Sequence, residues 1–241
     1  MRMVFIFWSR GRTENRFPLF LAALRVHITL LRTRPRGYGR GMYVPAHFRE
    51  DRPEILHNAM RAIGFATLVT QEEAGVEANH LPLVLKDGKL TGHFARANPA
   101  WKNLNPQAEA LAIFLGPHAY VSPSLYPSKA ETGKAVPTWN YITVHAAGTL
   151  TLHDDAAWLR AHVDELSNTH EMERPAPWSL KDAPAAYIDG LLRAIVGFEL
   201  SITRLTGKWK LSQNRDAADQ KGVQDGMREE GHELLAALMQ P

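Results

Sequence analysis

The sequence predicts a mainly β fold with peripheral helices (α+β), built around an antiparallel barrel. Three observations carry this. About seven short segments alternate apolar and polar residues; an Asp-Gly turn joins two of them, a hairpin signal; and helical periodicity is confined to the chain ends and one crossover. The 241 residues are 45% apolar and 22% charged, close to the globular average, which excludes wholesale disorder, collagen and coiled-coil arrays. No cysteine is present, so disulfides, thiolate metal sites and a Cys nucleophile are excluded, and a reducing, cytoplasmic setting fits.

Charge divides the chain in two. Residues 1–41 hold nine Arg and one acid, Glu14, a balance of +8; residues 42–241 hold 19 basic and 24 acidic groups, a balance of −5. The whole-chain pI of about 9.2 therefore misleads as a nucleic-acid signal. The Arg-rich stretch has neither helix cap nor β-alternation, and its longest uncharged run, Phe17–Leu24, is far below the ~20 residues that span a bilayer. The reading preferred over a transit peptide is a disordered extension, or a start assigned upstream of Met42. The working domain is then expected over 42–241, without a membrane segment.

From Met42 the elements follow in order. Asp51-Arg52-Pro53-Glu54 reads as an Asp-capped helix start, Ile55, Ala59, Met60 and Ile63 recur at helical spacing, and Gly64 ends the run. Strands are expected at Phe65–Thr70, Glu77–Leu85 and Lys89–Ala95, the last two joined across Asp87-Gly88, and then at Ala110–Leu115. Val136–His153 alternates long enough for one long strand or two. Ala156–Leu166 carries a helical stripe, a second helix lies around Ala186–Ala194, and Phe198, Leu200 and Ile202 mark a last strand. Asp216–Met239 reads as a polar surface helix.

Metal, P-loop, Rossmann and nucleophile-elbow motifs are all missing; His170-Glu171-Met172-Glu173-Arg174 breaks a metalloprotease pattern at its last position. His80 and His93 fall on adjacent expected strands and are placed to meet. What remains are polar-aromatic clusters at strand ends. In Asn79–Leu85, period two sends Leu81, Leu83 and Leu85 to one face and His80, Pro82 and Val84 to the other. In Gly92–Lys102 a strand stops in an Asn98-Pro99 turn with Arg96 and Lys102 nearby, and two cations with free turn amides suit a phosphate dianion as well as they suit a solvated turn. Gly116–Pro127 reads as a rigid pocket wall. Trp139 and Tyr141 share a strand face, against a ligand or the core. Lys210, Ser212 and Asn214 share a face if extended.

Met42–Phe48, His80–Leu83, Ala95–Pro99, Gly116–Pro123, Pro137–Tyr141 and Lys210–Asn214 resemble, in that order, the PaiB-type FMN-binding negative transcriptional regulators. The resemblance covers 42–241 and none of 1–41; Leu125 departs from it where a Trp is expected. It implies the FMN-binding split-barrel superfamily that includes pyridoxamine phosphate oxidase: a six-stranded Greek-key split β-barrel that forms a homodimer with FMN in a groove at the interface. It further implies that His80, Leu81, Pro82 and Leu83 run along the isoalloxazine, and that Arg96, Asn98, Trp101 and Lys102 sit at the phosphate end. Trp139, Asn140, Lys210, Ser212 and Gln213 would complete the site, some from the partner, with Tyr120 and Ser122 as weaker candidates. The function implied is flavin-linked negative transcriptional regulation, with direct DNA contact disfavoured by the −5 balance; a flavin oxidoreductase and a haem-binding split barrel are the alternatives.

Overall fold

The structure, a computed structural model, describes residues 41–239 apart from Glu73 and Pro106; all of the Arg-rich extension but Gly41 lies outside the described residues. In chain order the elements are β1 (Arg49–Glu50), α1 (Pro53–Ile63), β2 (Phe65–Glu72), β3 (Gly75–Pro82), β4 (Val84–Lys86), β5 (Lys89–Ala95), α2 (Ala100–Asn103) and β6 (Ala110–Val121). They continue with α3 (Ser128–Thr132), β7 (Thr138–His153), α4 (Ala156–Glu171), α5 (Ala185–Leu192), β8 (Ile195–Lys210), α6 (Ala217–Glu229) and α7 (Glu233–Leu238). The strands form one antiparallel sheet in the order β3-β2-β6-β7-β8-β5-β4, with β1 added on β8.

The sheet curls into a split barrel because one run of chain supplies both of its ends. The expected strand Glu77–Leu85 breaks at Leu83: β3 pairs with β2, β4 pairs with β5, and between them the Leu83 amide donates to the Gly64 carbonyl at 2.8 Å. No ladder joins β3 to β4; the bend carries the chain from one end of the sheet to the other. Counting β3 and β4 as one bent strand and setting aside the two-residue β1, the barrel has six strands.

Alternation fills the interior. Ala66 and Leu68 of β2, Leu90 and Phe94 of β5, Ala112 and Phe114 of β6, Val144 of β7 and Phe198 and Leu200 of β8 are buried together, and the Phe94 and Phe198 rings meet at 4.9 Å. Helix α1 closes this core with Leu56 and Met60. Its start differs from the expected Asp51 cap: Arg52 occupies the cap position, and the buried Glu50 carboxylate accepts the Arg52 amide at 2.9 Å. Two strands run longer than their pattern suggests: β6 passes the Gly116-Pro117 irregularity and continues to Val121, so the expected pocket wall is half strand, and β8 extends to Lys210. Of the two readings of Val136–His153, the single strand holds, as β7. The polar C-terminal helix is instead two helices broken at Gly231, and they bury Val223, Met227, Leu235 and Ala236 against Val121, Ile142 and Leu211.

β7 and β8 stay paired from Tyr141–Lys210 to His153–Gly197, with one bulge at Ala147/Gly148. A Cβ on Gly148 would lie 2.0 Å from the Ser201 carbonyl oxygen. On the outer face, α4 docks through Trp158, whose indole covers Gly197, where a Cβ would lie 2.1 Å from it. The indole stacks between His153 at 4.2 Å and His162 at 5.3 Å, and His162 Nε2 lies 3.0 Å from His93 Nδ1. Burial, and secondarily the neighbouring His93, push the His162 pKa down to about 4.

Two outcomes follow from this packing. Gly148→Ala forces backbone against backbone and is expected to destabilise the fold by about 3 kcal/mol, read as a lowered urea midpoint; an unchanged midpoint would show that the bulge relaxes freely. His162 binds its proton more weakly when folded. Its contribution is therefore complete above the ordinary value of 6.5 and is lost as pH falls through about 4, a drop of roughly 3 kcal/mol between pH 7 and pH 4 that His162→Phe should flatten in urea titrations.

Candidate functional site

The outer face of the barrel is built by register. Thr67 pairs with His80 and with Ile113, Ile113 pairs with His145, and His145 pairs with Thr206, so one row crosses β3, β2, β6, β7 and β8 on the side away from the core. His80 lies exposed on this face with its Nδ1 3.1 Å from the Thr67 hydroxyl. Leu111 and Ile113 are half-buried in the same face, while Phe65 and Leu115 are 57% and 52% exposed. His93 does not meet His80, because it turns to His162 beneath α4.

At one end of this face the turn after β5 reaches β3. Asn98 Nδ2 donates to Asn79 Oδ1 at 2.7 Å, Asn98 Oδ1 accepts the Ala100 amide at 2.9 Å, and Trp101 Nε1 donates to the Arg96 carbonyl at 3.0 Å. Beside them a cleft of about 330 Å³ is lined by Thr70, Trp101, Lys102, Leu150 and Leu152. Two buried polar atoms here have no protein partner, Asn79 Nδ2 and Thr70 Oγ1. The turn is not the nest of free amides its sequence suggests: the amides of Arg96, Asn98, Ala100 and Lys102 all bond within the protein. Arg96 is also committed. Its guanidinium pairs with Asp154 and donates to the carbonyls of Arg193 and Ile195 at 2.7 and 2.8 Å, and it holds the Asp154 carboxyl below the usual range. Lys102 lies 5.2 Å from the Trp101 ring centre and has no carboxylate partner among the described residues.

The second group gathers where β7 begins and β8 ends. Asn140 is fully buried and donates to the Ser212 hydroxyl at 3.0 Å; Ser212 has φ 67°, so this segment is a turn and not extended chain. Gln213 accepts the Leu211 amide at 2.7 Å and donates to the Trp209 carbonyl at 2.6 Å. These three side chains hold the turn, and Trp139, 52% exposed, and the half-buried Tyr141 face outward and not into the core.

Lys210 donates to Thr138 Oγ1 at 2.6 Å and to the Trp139 carbonyl at 2.5 Å. Its pKa is lowered, first by burial and then by the positive charges of Lys208 and Arg215. None of these three cations pairs with a carboxylate among the described residues; Lys208 lies 5.5 Å from the Tyr141 ring centre and Arg215 4.7 Å from that of Tyr126. Lys208 and Arg215 escaped the sequence reading, although Lys208-Trp209-Lys210 at strand period two places both lysines on one face.

The two groups are not brought together within one chain. The Trp101–Lys102 cleft touches β7 at Leu150, whereas Lys210 pairs with Tyr141, nine residues and about 30 Å of strand away, longer than a flavin mononucleotide. Among the described residues no group of three His, Cys, Asp or Glu is placed to hold a metal, and no helix is long and apolar enough to cross a membrane.

A curled antiparallel sheet with a strand that switches ends, an outer face that mixes exposed apolar side chains with histidines and threonines, and cations at its margin without carboxylate partners among the described residues suit a split barrel of the flavin-binding type. The family model described as "Putative FMN-binding domain" matches residues 42–204, and the chain belongs to this FMN-binding, PaiB-type family. It is 33% identical to the protease synthase and sporulation protein PAI 2 of Bacillus subtilis, over 83% of this chain and 97% of that protein. It is 34% identical to an uncharacterised protein of Aspergillus fumigatus, over 80% of this chain and 93% of that one. Solved structures similar in fold include the flavocytochrome Anf3 of Azotobacter vinelandii (TM-score 0.51, 15% identity, 72% of this chain and 75% of that). Another is the FAD and haem binding protein of Mycobacterium smegmatis (TM-score 0.51, 17% identity, 72% and 78%).

If repulsion from Lys208 and Arg215 lowers Lys210, then Lys208→Gln with Arg215→Gln should raise its pKa part of the way to the ordinary 10.5, the effect of burial remaining. Titration of the Lys210 side chain by NMR reads this directly, and an unmoved value would mean that the three charges do not share a field.

Proposed function

We propose that residues 42–241 form an FMN-binding homodimer that acts in the cytoplasm as a negative transcriptional regulator, and that residues 1–41 are an extension outside this domain. The observation that carries the dimer is the distance between the two polar groups. One chain holds a phosphate-sized end and a cationic turn about 30 Å apart along β7, and a second copy laid on the outer face, where Phe65 and Leu115 stand exposed, would bring one group of each chain to the same flavin.

The residues fit the cofactor. Lys102 supplies a cation without a carboxylate partner; Asn98 and Trp101 fix the turn that presents it. The unpartnered Asn79 amide and Thr70 hydroxyl are two polar atoms that need a ligand or water. Arg96 acts through its ion pair with Asp154, which anchors the turn to the start of β8. His80, Leu81 and Pro82 offer the edge along which the ring would lie, and Pro82 withholds no needed ladder donor there; Leu83, expected with them, is buried in the core with its amide on the Gly64 carbonyl. From the second copy, Trp139 and Lys210 face outward, while Asn140, Ser212 and Gln213 hold them in place. The flavin, when bound, supplies electron transfer; lysines and an arginine beside its ring favour the reduced, more negative form.

The regulatory reading is supported by the resemblance of the six motifs to PaiB-type regulators and by the relative named protease synthase and sporulation protein PAI 2. The −5 balance of 42–241 argues for regulation through a partner or flavin state and against a basic DNA face.

Purified protein should show flavin absorption in the blue; a Soret band would replace FMN by haem. Leu115→Glu should leave the fold intact, since the side chain is half exposed, yet give a monomer in sedimentation that has lost most of its flavin; a flavin-loaded monomer would place the site within one chain. Lys102→Ala should release FMN without lowering the urea midpoint. Deleting the gene should raise its target transcripts, restored by the native chain and not by Lys102→Ala. Unchanged transcripts together with turnover of NADH would give the oxidoreductase reading instead.

A further inference from the structure

On the side of the barrel where α4 crosses β5 and β8, the structure holds an open cleft of about 690 Å³ that the flavin reading does not use. Its floor is polar and buried. Thr91 of β5, 8% exposed, and His162 of α4, 3% exposed, both line it, and neither Thr91 Oγ1 nor His162 Nδ1 has a hydrogen-bond partner in the protein. Leaving such an atom unpaired costs about 1–3 kcal/mol, so two of them in one cleft call for a ligand or bound water. The tautomers are constrained. If His162 Nε2–H donates to His93 Nδ1, 3.0 Å away, then His162 Nδ1 carries a lone pair and accepts.

The charges around this floor choose the ligand's sign. Asp87, Asp164, Glu165 and Glu199 line the cleft; Glu165 is paired with Lys86 at 3.1 Å and Glu199 with Lys89 at 3.3 Å, which leaves Asp87 and Asp164 without a cation among the described residues. An anion would meet a negative rim, and a neutral molecule would leave that field unused. Met172 and Trp158 supply the apolar wall, the indole itself being stacked with His153 and His162.

We propose that this cleft is a second ligand site, separate from the flavin groove, for a small organic cation: a primary ammonium group donating to His162 Nδ1 and the Thr91 hydroxyl, with an apolar body against Met172 and Trp158.

Three probes of equal shape test it on the full chain: 2-phenylethylammonium, 2-phenylethanol and 3-phenylpropionate, followed by NMR shifts of the His162 ring and Trp158 indole. The ammonium should bind saturably and at least about tenfold tighter than the alcohol, and the carboxylate should not bind. His162→Phe and Thr91→Val should each weaken the ammonium at least about tenfold, while flavin absorption stays as in the native protein. Should either variant fail to fold, Asp164→Asn with Glu165→Gln, both at the rim, should still weaken it several-fold. No saturable binding, equal binding of the alcohol, or an affinity untouched by the floor and rim variants would each overturn the proposal.

Discussion

Gly148 cannot carry a side chain, and the offset it permits is what lets β7 and β8 remain paired over their whole length. Those two strands touch almost everything else. β6 lies on the far side of β7, β5 and β1 take opposite halves of β8, and α4 sits on the outer face where Gly197 admits the Trp158 indole. Both polar groups are fixed to this one ribbon, one near Leu150 and one at Tyr141 and Lys210, so its length sets their separation. A shorter or more broken pairing would collapse the distance on which the proposed dimer rests.

Much of the barrel was legible because its strands obey period two with large apolar residues inward: Ala66 and Leu68, Leu90 and Phe94, Phe198 and Leu200 are buried as their alternation requires. Where pattern failed, a long-range partner decided. Leu83 sits in a continuous apolar run, Leu81–Leu85, that reads as one strand, yet the chain bends there because its amide is captured by Gly64 and its two flanks pair with strands at opposite ends of the sheet. Gly116-Pro117 looks like a loop, and the Ile142 side of β7 carries it across as strand. The C-terminal helices look polar, but Val223 and Met227, one turn apart on α6, and Leu235 and Ala236 on α7 are enough to bury one side of each.

The candidate site was legible as residue types and not as roles. Asn79–Leu85 and Gly92–Lys102 do converge, through the Asn79–Asn98 bond. Charge was harder to read, since a neighbour 58 residues away settles it: Asp154 neutralises Arg96, while Lys208, Lys210 and Arg215 stand together without a carboxylate partner among the described residues. Sequence shows a cation; only the fold shows whether it is answered.

The order in which strands find their partners also bears on how the chain is made. β5 ends at Ala95, but the strand that completes it, β8, begins at Ile195, and β1 pairs only with the far end of β8 at Gly207 and Lys208. During synthesis the hairpins β2–β3 and β4–β5 leave the ribosome about a hundred residues ahead of that partner, with an apolar side open to water until β8 arrives. The nascent barrel is thus a half-built shell for several seconds of translation, and that interval is when it most needs shielding from other chains.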